Sequence, residues 1–325
     1  MKVEIPDALK ADIPPTTWGK MLTATPVVMA VVATMLAGLA SSEMTRAQYA
    51  RSLAAQQQSK AGDQWGFFQA KRLRGALQRN SLDLLQATTE VHPLTAAALR
   101  KAVEQQPNPS DPPEAAAART RVRTALDSAA GQRALSCLER GELPAAGATP
   151  ALDPAIKAAL DAVENLSPEP EIKPLLARVS NQTLDQAVRA ARDQAQALDA
   201  ATKPVNQTID LLENVLTRQA APGASLTRDF TAARLRYAAL RYEVEARLNQ
   251  AIAYLYELQV RKSNIASERH HSRSQRFFFG MLAAQLGVII STFAIAARQR
   301  NLLWALAAAA GLVAVAFAIY VYLYV

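Results

Sequence analysis

Three long uncharged apolar runs constrain this chain more than any other feature. Residues 23–40, 277–297 and 302–325 contain no Asp, Glu, Lys or Arg. A helix needs roughly 20 apolar residues to cross the hydrocarbon layer of a bilayer, so the last two runs qualify outright and the first sits at the short limit. In lipid the backbone must satisfy its own hydrogen bonds, which leaves helix as the conformation for all three. The expected fold class is therefore all-α: an integral membrane protein with three transmembrane helices, its partner being first of all the lipid bilayer. The first run also invites comparison with a cleaved leader, since Gly38-Leu39-Ala40-Ser41 offers small residues. The preceding stretch argues for a retained anchor instead, because it mixes Glu4, Asp7 and Asp12 with Pro6, Pro14 and Pro15 rather than forming a compact basic region.

Between the first and second runs lies a hydrophilic body rich in Ala, Leu, Gln, Arg and Glu, a composition of helices with little strand propensity. The chain divides by composition into seven stretches. Residues 1–21 form a polar tail, and 22–40 the first span. A long membrane-proximal helix is expected over 41–106, with Trp65, Phe68, Leu73, Leu77 and Leu84 as a ragged apolar stripe. A proline-interrupted helical section covers 107–223. It opens on QQPNPSDPPE (105–114), reads as one Ala/Arg-rich helix over 114–140, and passes through the linker at 141–150. Shorter helices punctuated at Pro154, Pro168, Pro170, Pro174 and Pro204 follow, and APG at 221–223 closes the section. Residues 224–276 read as a second long helix. There Val244, Leu248, Ala251, Leu255, Leu258 and Ile265 recur at steps of three, four and seven, a coiled-coil-like seam for which the stretch 41–105 is the expected cover. Residues 277–297 and 302–325 complete the chain as the second and third spans. The picture is a long antiparallel helical hairpin rooted in the membrane.

Three retained spans place the body and the C-terminus on one side. Near the span ends that side carries Arg46, Arg51, Lys60, Arg261, Lys262, Arg269, Arg273 and Arg276, against Lys10, Lys20, Arg298 and Arg300 on the other. The balance favours a cytoplasmic body over a periplasmic one, although Lys20 directly before the first span pulls the other way. The basic run at 261–276 reads as the ordinary flank of a membrane helix. The net charge of +8 has no groove-reading motif or aromatic interleaving beside it, so no nucleic-acid partner is expected.

Catalytic and metal chemistry find little footing. Of the three histidines, His270 and His271 are adjacent and point about 100° apart on a helix, so they read as a solvated flanking pair. Cys137 stands alone as a small half-buried side chain. No GxSxG, P-loop or GxGxxG occurs, and no enzyme activity and no cofactor are expected. The densest local signal is KAGDQWGFFQAKRLRGALQR (60–79), where Asp63, Trp65, Phe68, Gln69, Lys71 and Arg72 crowd aromatics and charges within three helical turns. Trp and Arg are favoured interface anchors, so this is the candidate interaction surface, with packing against the C-terminal long helix as the plainer reading. Within the spans Gln285 is the strongly polar residue. Small residues at Ala33/Ala37, Ala283/Gly287 and Ala307/Gly311 permit close helix contact, so Gln285, Gly287, Ala283 and Gly311 form the candidate intramembrane packing set.

The stretch Asp63-x-Trp65-x-x-Phe68-Gln69-Ala70-Lys71 resembles the D-x-W-x-x-Y-Q-A-K signature of bacterial membrane proteins grouped as the domain of unknown function 4337 family. The run Phe279-x-Met281-Leu282-Ala283-Ala284-Gln285-Leu286-Gly287 also resembles that family's penultimate span. Phe68 stands where Tyr is usual, and the section 110–222 has no counterpart. The resemblance implies an architecture and a bacterial inner membrane, and no known activity. The expected role is structural: a homo-oligomeric scaffold, or a docking platform for another membrane protein. A transmembrane sensor with a helical binding body, and an accessory subunit of a channel or transporter, are the alternatives.

Overall fold

The computed structural model describes residues 17–104, 113–145, 151–218, 224–297 and 300–324. The polar tail before residue 17, the proline-rich break at 105–112, linker residues 146–150, the closing APG and Arg298 lie outside the described residues. Those described form helices α1 (Thr17–Thr88), α2 (Ala96–Glu104), α3 (Pro113–Asp127), α4 (Ala129–Arg140), α5 (Pro154–Glu164), α6 (Glu169–Arg178), α7 (Asn181–Arg218), α8 (Ala224–Ala296) and α9 (Arg300–Tyr324), with no strand among them. They group into two compact units, Met1–Gln56 with Val260–Val325, and Gln57–Gln259.

The first unit holds the three apolar stretches, in α1, α8 and α9, each long and apolar enough to cross a membrane. Its core is built from small and medium side chains: Ala33, Leu36, Ala40, Phe277, Ala284, Ala314 and Val321. Small residues let helix backbones approach closely, which gains dispersion contact where a bulkier pair would splay the axes. Val27, Val31, Met35, Phe279, Leu286 and Leu312 point outward, so the apolar runs present apolar surface on their outer faces as well. Beyond these runs α1 and α8 run antiparallel. The Ser274 hydroxyl donates to the Ala40 carbonyl (2.8 Å), His270 Nδ1 lies 2.6 Å from the Glu43 carboxylate, and the Ser267 hydroxyl donates to the Ala47 carbonyl (2.9 Å).

The second unit contains α2 to α7 with the adjoining parts of α1 and α8. Its main core joins Leu99 and Val103 of α2, Val122 and Leu126 of α3, and Leu135 and Leu138 of α4. Val205, Ile209 and Leu212 of α7 complete it with Phe230 and Tyr237 of α8. Leu82 of α1 closes on Ala232 and Leu235 in a smaller cluster.

The sequence reading is corrected at several points. The expected helix 41–106 is two helices, since α1 ends at Thr88 and Pro93 lies in the gap before α2. The expected single helix 114–140 breaks at Ser128, whose hydroxyl accepts from the Gly131 amide and caps α4. There α4 turns back so tightly on α3 that a Cβ on Gly131 would lie 2.1 Å from the Ala125 carbonyl oxygen. Asp153 and Pro154 start α5 as expected of a cap followed by a first-turn proline. Pro174 and Pro204, by contrast, lie inside α6 and α7. A mid-helix proline costs about 3 kcal/mol. Val205, Ile209, Leu212, Val215 and Leu216 are all buried on the same helix, and at about 1.5–3 kcal/mol for each fully buried side chain that burial outweighs the break.

The seam of α8 also meets a different partner. Leu248, Ala251 and Leu255 face a cavity shared with Ile156 and Leu160 of α5 and with Thr183 and Ala187 of α7. The side of α8 that meets α1 carries Ala239, Tyr242 and Glu243, where a Cβ on Gly75 would touch the Tyr242 Cβ at 3.4 Å. Within this unit α8 therefore has α1 on one side and α7 on another. On α1 itself Leu73, Leu77 and Leu84 point away from the core at 64%, 54% and 66% exposure. Most of the residues α1 buries are alanines, among them Ala33, Ala40, Ala47, Ala54 and Ala61, one every seventh position.

Candidate functional site

The aromatic and cationic stretch of α1 is helical throughout, so Trp65, Phe68, Lys71, Arg72 and Arg79 share a broad face at steps of three and four. That face meets α8. The Trp65 indole N–H donates to the Glu257 carboxylate across 2.7 Å. The Trp65 ring stands edge-on to Tyr254 (5.1 Å between centroids, 86°) and to Phe68 (5.4 Å, 81°), the geometry favoured by aromatic quadrupoles. Lys71 pairs with the Glu245 carboxylate and lies 5.5 Å from the centroid of the Tyr242 ring. Arg79 pairs with Glu243, which also accepts from Arg247 one turn along its own helix. Arg72 lies over the Phe68 ring at 5.8 Å. Between these clasps runs an open groove of about 560 Å³ lined by Phe68, Arg72, Gly75, Ala239, Glu243 and Gln250.

Of the six residues singled out by sequence, Trp65, Phe68 and Lys71 are drawn into this contact. Arg72 is exposed and rests on Phe68, while Asp63 and Gln69 are exposed. Phe68, where the resembling signature has Tyr, packs through its ring against Trp65 and Arg72.

The intramembrane set divides in two. Gly287 and Gly311 are close-approach positions around Met29: a Cβ on Gly287 would lie 3.4 Å from the Ala307 carbonyl and 3.5 Å from the Met29 sulfur, and one on Gly311 would collide with the Met29 methyl. Ala283 is half-buried and packs on the same core. Gln285 is not part of that packing; its side chain is exposed and makes no hydrogen bond among the described residues.

Two features escaped the sequence reading. His270, expected in the solvated flank, is half-buried against Glu43, and Glu43 also accepts from Arg46 at 3.1 Å. Serine or histidine at 267, 270 and 274 opposite alanine or glutamate at 47, 43 and 40 was the available signal. The second feature is the outer face of α1, where Gly66, Ala70, Leu73, Leu77, Asn80 and Leu84 are all exposed at alternating steps of four and three. That is a strict heptad pattern. No group of three or more His, Cys, Asp or Glu side chains among the described residues is placed to hold a metal ion. The cavity behind Leu248 and Leu255 has a volume of about 500 Å³ and apolar walls, with Asp153, Thr183, Gln186 and Gln194 as its polar members.

Comparison with curated proteins and with solved structures finds no match to this chain. A family model does match, over less than half of the chain. It takes in the Asp63–Lys71 stretch and stops well before residues 279–287. The matched residues, 18–119, comprise nearly all of α1, the whole of α2 and the beginning of α3, and the matching model is that of the family described as Domain of unknown function (DUF4337).

Proposed function

We propose that this protein is a non-catalytic scaffold rooted in the bacterial inner membrane by three spans, with a helical body that assembles with further copies of the chain. The observation that carries this reading is the exposed heptad face of α1. Leu73, Leu77 and Leu84 are long apolar side chains held outward on a rigid helix, in the 4-3 spacing by which two helices bury a common seam. Asn80 lies in the same row, as a single polar residue does in parallel pairs, where it fixes the register at some cost in stability. A second copy inserted the same way round presents the same face in the same direction, so the row is self-complementary. The side chains on the inner face of α1 support a structural role in another way. Trp65, Lys71 and Arg79 are committed to holding α1 against α8. The excess of Lys and Arg flanking the spans on the body side supports a cytoplasmic body.

The test is self-association of the full-length chain in lipid nanodiscs or mild detergent, read by mass photometry and by crosslinking in native membranes. Leu73→Asp with Leu77→Asp should shift the mass distribution toward smaller species while leaving helix content unchanged. An unchanged mass distribution would sink the reading. A transmembrane sensor is the second reading, favoured by the apolar cavity of about 500 Å³ between α5, α7 and α8. Placing Trp at Ala187 to fill that cavity should then alter output without altering assembly.

A further inference from the structure

Apart from Tyr320, Tyr322 and Tyr324 at the end of α9, polar side chains are few inside the three apolar runs, and among the described residues nearly all of these few are satisfied at home. The hydroxyls of Thr25 and Thr34 donate to carbonyls one turn back, at 2.7 and 2.9 Å. Ser291 and Thr292 both donate to the Val288 carbonyl, and the Trp304 indole N–H donates to the Thr25 hydroxyl across 3.0 Å, joining α9 to α1. Gln285 differs from all of these. Its amide has two N–H donors and a carbonyl acceptor, it projects from the outer side of α8, and no described residue reaches it. It also stands near the middle of the run 277–297, at the depth where hydrocarbon offers no hydrogen bonds. Leaving a primary amide unpaired there is costly, so whatever lies against this face must supply both a donor and an acceptor.

The residues around Gln285 describe the surface that meets it. Phe278, Leu282, Gln285, Ile289 and Thr292 are all exposed and follow one another at steps of four, three, four and three. They form a heptad row on the outer face of α8, with the amide at its centre. A helix lying along that row must match its spacing and its central amide, and the same row on a second copy does both. Copies of one chain enter a membrane with the same orientation, so a two-fold axis along the bilayer normal sets each residue of the row opposite its own counterpart. Gln285 then meets Gln285. A primary amide is complementary to itself, each N–H donating to the other copy's carbonyl.

We propose that α8 forms a parallel intramembrane dimer contact with α8 of a second copy, centred on reciprocal hydrogen bonds between the two Gln285 amides. This rests on reading α8 as a membrane span. It is independent of the leucine row on α1, which is a separate surface.

The experiment uses the full-length chain with Cys137→Ser and single cysteines placed in turn at Leu282, Gln285, Ile289 and Phe279, oxidised in native membranes. The expected result is a disulfide-linked dimer strongest at Leu282→Cys and Ile289→Cys, which keep the amide, weaker at Gln285→Cys, which deletes it, and absent at Phe279→Cys, which is exposed but off the row. In parallel, energy transfer between labelled copies in vesicles of phosphatidylethanolamine and phosphatidylglycerol reads the dimer fraction without cysteine chemistry. Gln285→Leu should weaken dimerisation about fivefold, in keeping with measured interhelical hydrogen bonds in membranes, and Gln285→Asn should restore part of it. Equal crosslinking at Phe279→Cys, a Gln285→Cys product containing a different protein, or an unchanged dimer in Gln285→Leu each overturns the proposal. Loss of assembly with Leu73→Asp and Leu77→Asp, combined with no effect of Gln285→Leu, removes this contact while sparing the scaffold reading. Release of the chain by an alkaline carbonate wash removes the membrane reading beneath both.

Discussion

Trp65 and Glu257 stand 192 residues apart in sequence and are joined by a 2.7 Å hydrogen bond from indole N–H to carboxylate, with Tyr254 one turn away closing on the ring edge. The bond is to a charged acceptor in a half-buried setting, which puts it at about 1–3 kcal/mol if its removal leaves the acceptor without a substitute. Trp65→Phe keeps most of the ring and deletes the donor, so it should cost about 1–2 kcal/mol. Trp65→Ala also forfeits the edge contacts with Phe68 and Tyr254 and should cost about 1 kcal/mol more. Denaturant unfolding in micelles, followed by far-ultraviolet circular dichroism, measures both. Wild-type midpoints for the two variants would mean that the indole does not hold the helices together.

Cys137 lies in the main core beside Tyr237, and both are pushed toward their neutral forms. Burial raises the Cys137 thiol from its ordinary 9.0, and the Glu142 carboxylate adds to the effect. Burial likewise raises the Tyr237 phenol, which donates to the Asn206 side-chain oxygen at 3.2 Å. A group whose folded-state pKa is raised contributes its full stability below the unfolded value and loses it as pH climbs past that value. Folding stability should therefore be flat through neutrality and fall above about pH 9, and the fall should be shallower in Cys137→Ala. Maleimide labelling at pH 8 should be slow in the native protein and fast once unfolded. Rapid native labelling would place the thiol at the surface.

Two backbone positions make opposite demands. At Gly131 a methyl group would press on the Ala125 oxygen and on the Leu126 Cα at 2.5 Å, neither of which can swing aside. Gly131→Ala should cost at least about 2 kcal/mol. Leu166 ends α5 with φ of +55°, its amide bonded to the Val163 carbonyl and that of Ser167 to Ala162, the arrangement in which glycine is the favoured residue. The left-handed conformation costs a side-chain-bearing residue about 1–2 kcal/mol. Leu166 is almost fully exposed and gives up little burial. Leu166→Gly should therefore raise stability by about 0.5–1 kcal/mol, the net of that relief and the extra freedom glycine brings to the unfolded chain. Thermal melts of the two variants should move in opposite directions.

What could be read from the sequence follows from how strongly each feature is written in side-chain chemistry. The three apolar helices needed only hydropathy and length. Pro93 and Pro154 mark real boundaries because each falls where an amide bond is expendable. Pro174 and Pro204 do not, since both lie inside helices; along α7 tertiary burial outweighs the local break at Pro204. The period of the α8 row was legible at Leu248 and Leu255, yet periodicity says only that a face is covered and not by what. The partner proved to include α5 and α7. The inner face of α1 was hidden for a different reason: alanine carries too weak a hydrophobic signal to stand out beside Leu73, Leu77 and Leu84, although alanine at every seventh position was in plain view. Trp65 and Lys71 were found because aromatics and cations are conspicuous. His270 was missed because a histidine within a basic run looks like every other flanking residue.

The inside and outside of α1 can be told apart by two substitutions that reverse each other. Ala47 is buried to 4% exposure, and its carbonyl accepts the Ser267 hydroxyl, so the two backbones lie close at that level. Ala47→Leu must push α8 away and break that bond, and should cost about 1–3 kcal/mol from overpacking together with about 1 kcal/mol from the lost hydrogen bond. Leu73→Ala removes a larger side chain from an exposed position and should change the stability of the monomer by less than about 0.5 kcal/mol. Both are measured by denaturant unfolding at protein concentrations low enough for the chain to be monomeric, so that the outer row has no second copy to lose. A silent Ala47→Leu beside a costly Leu73→Ala would return the leucines to the interior and leave the proposed assembly face without its residues.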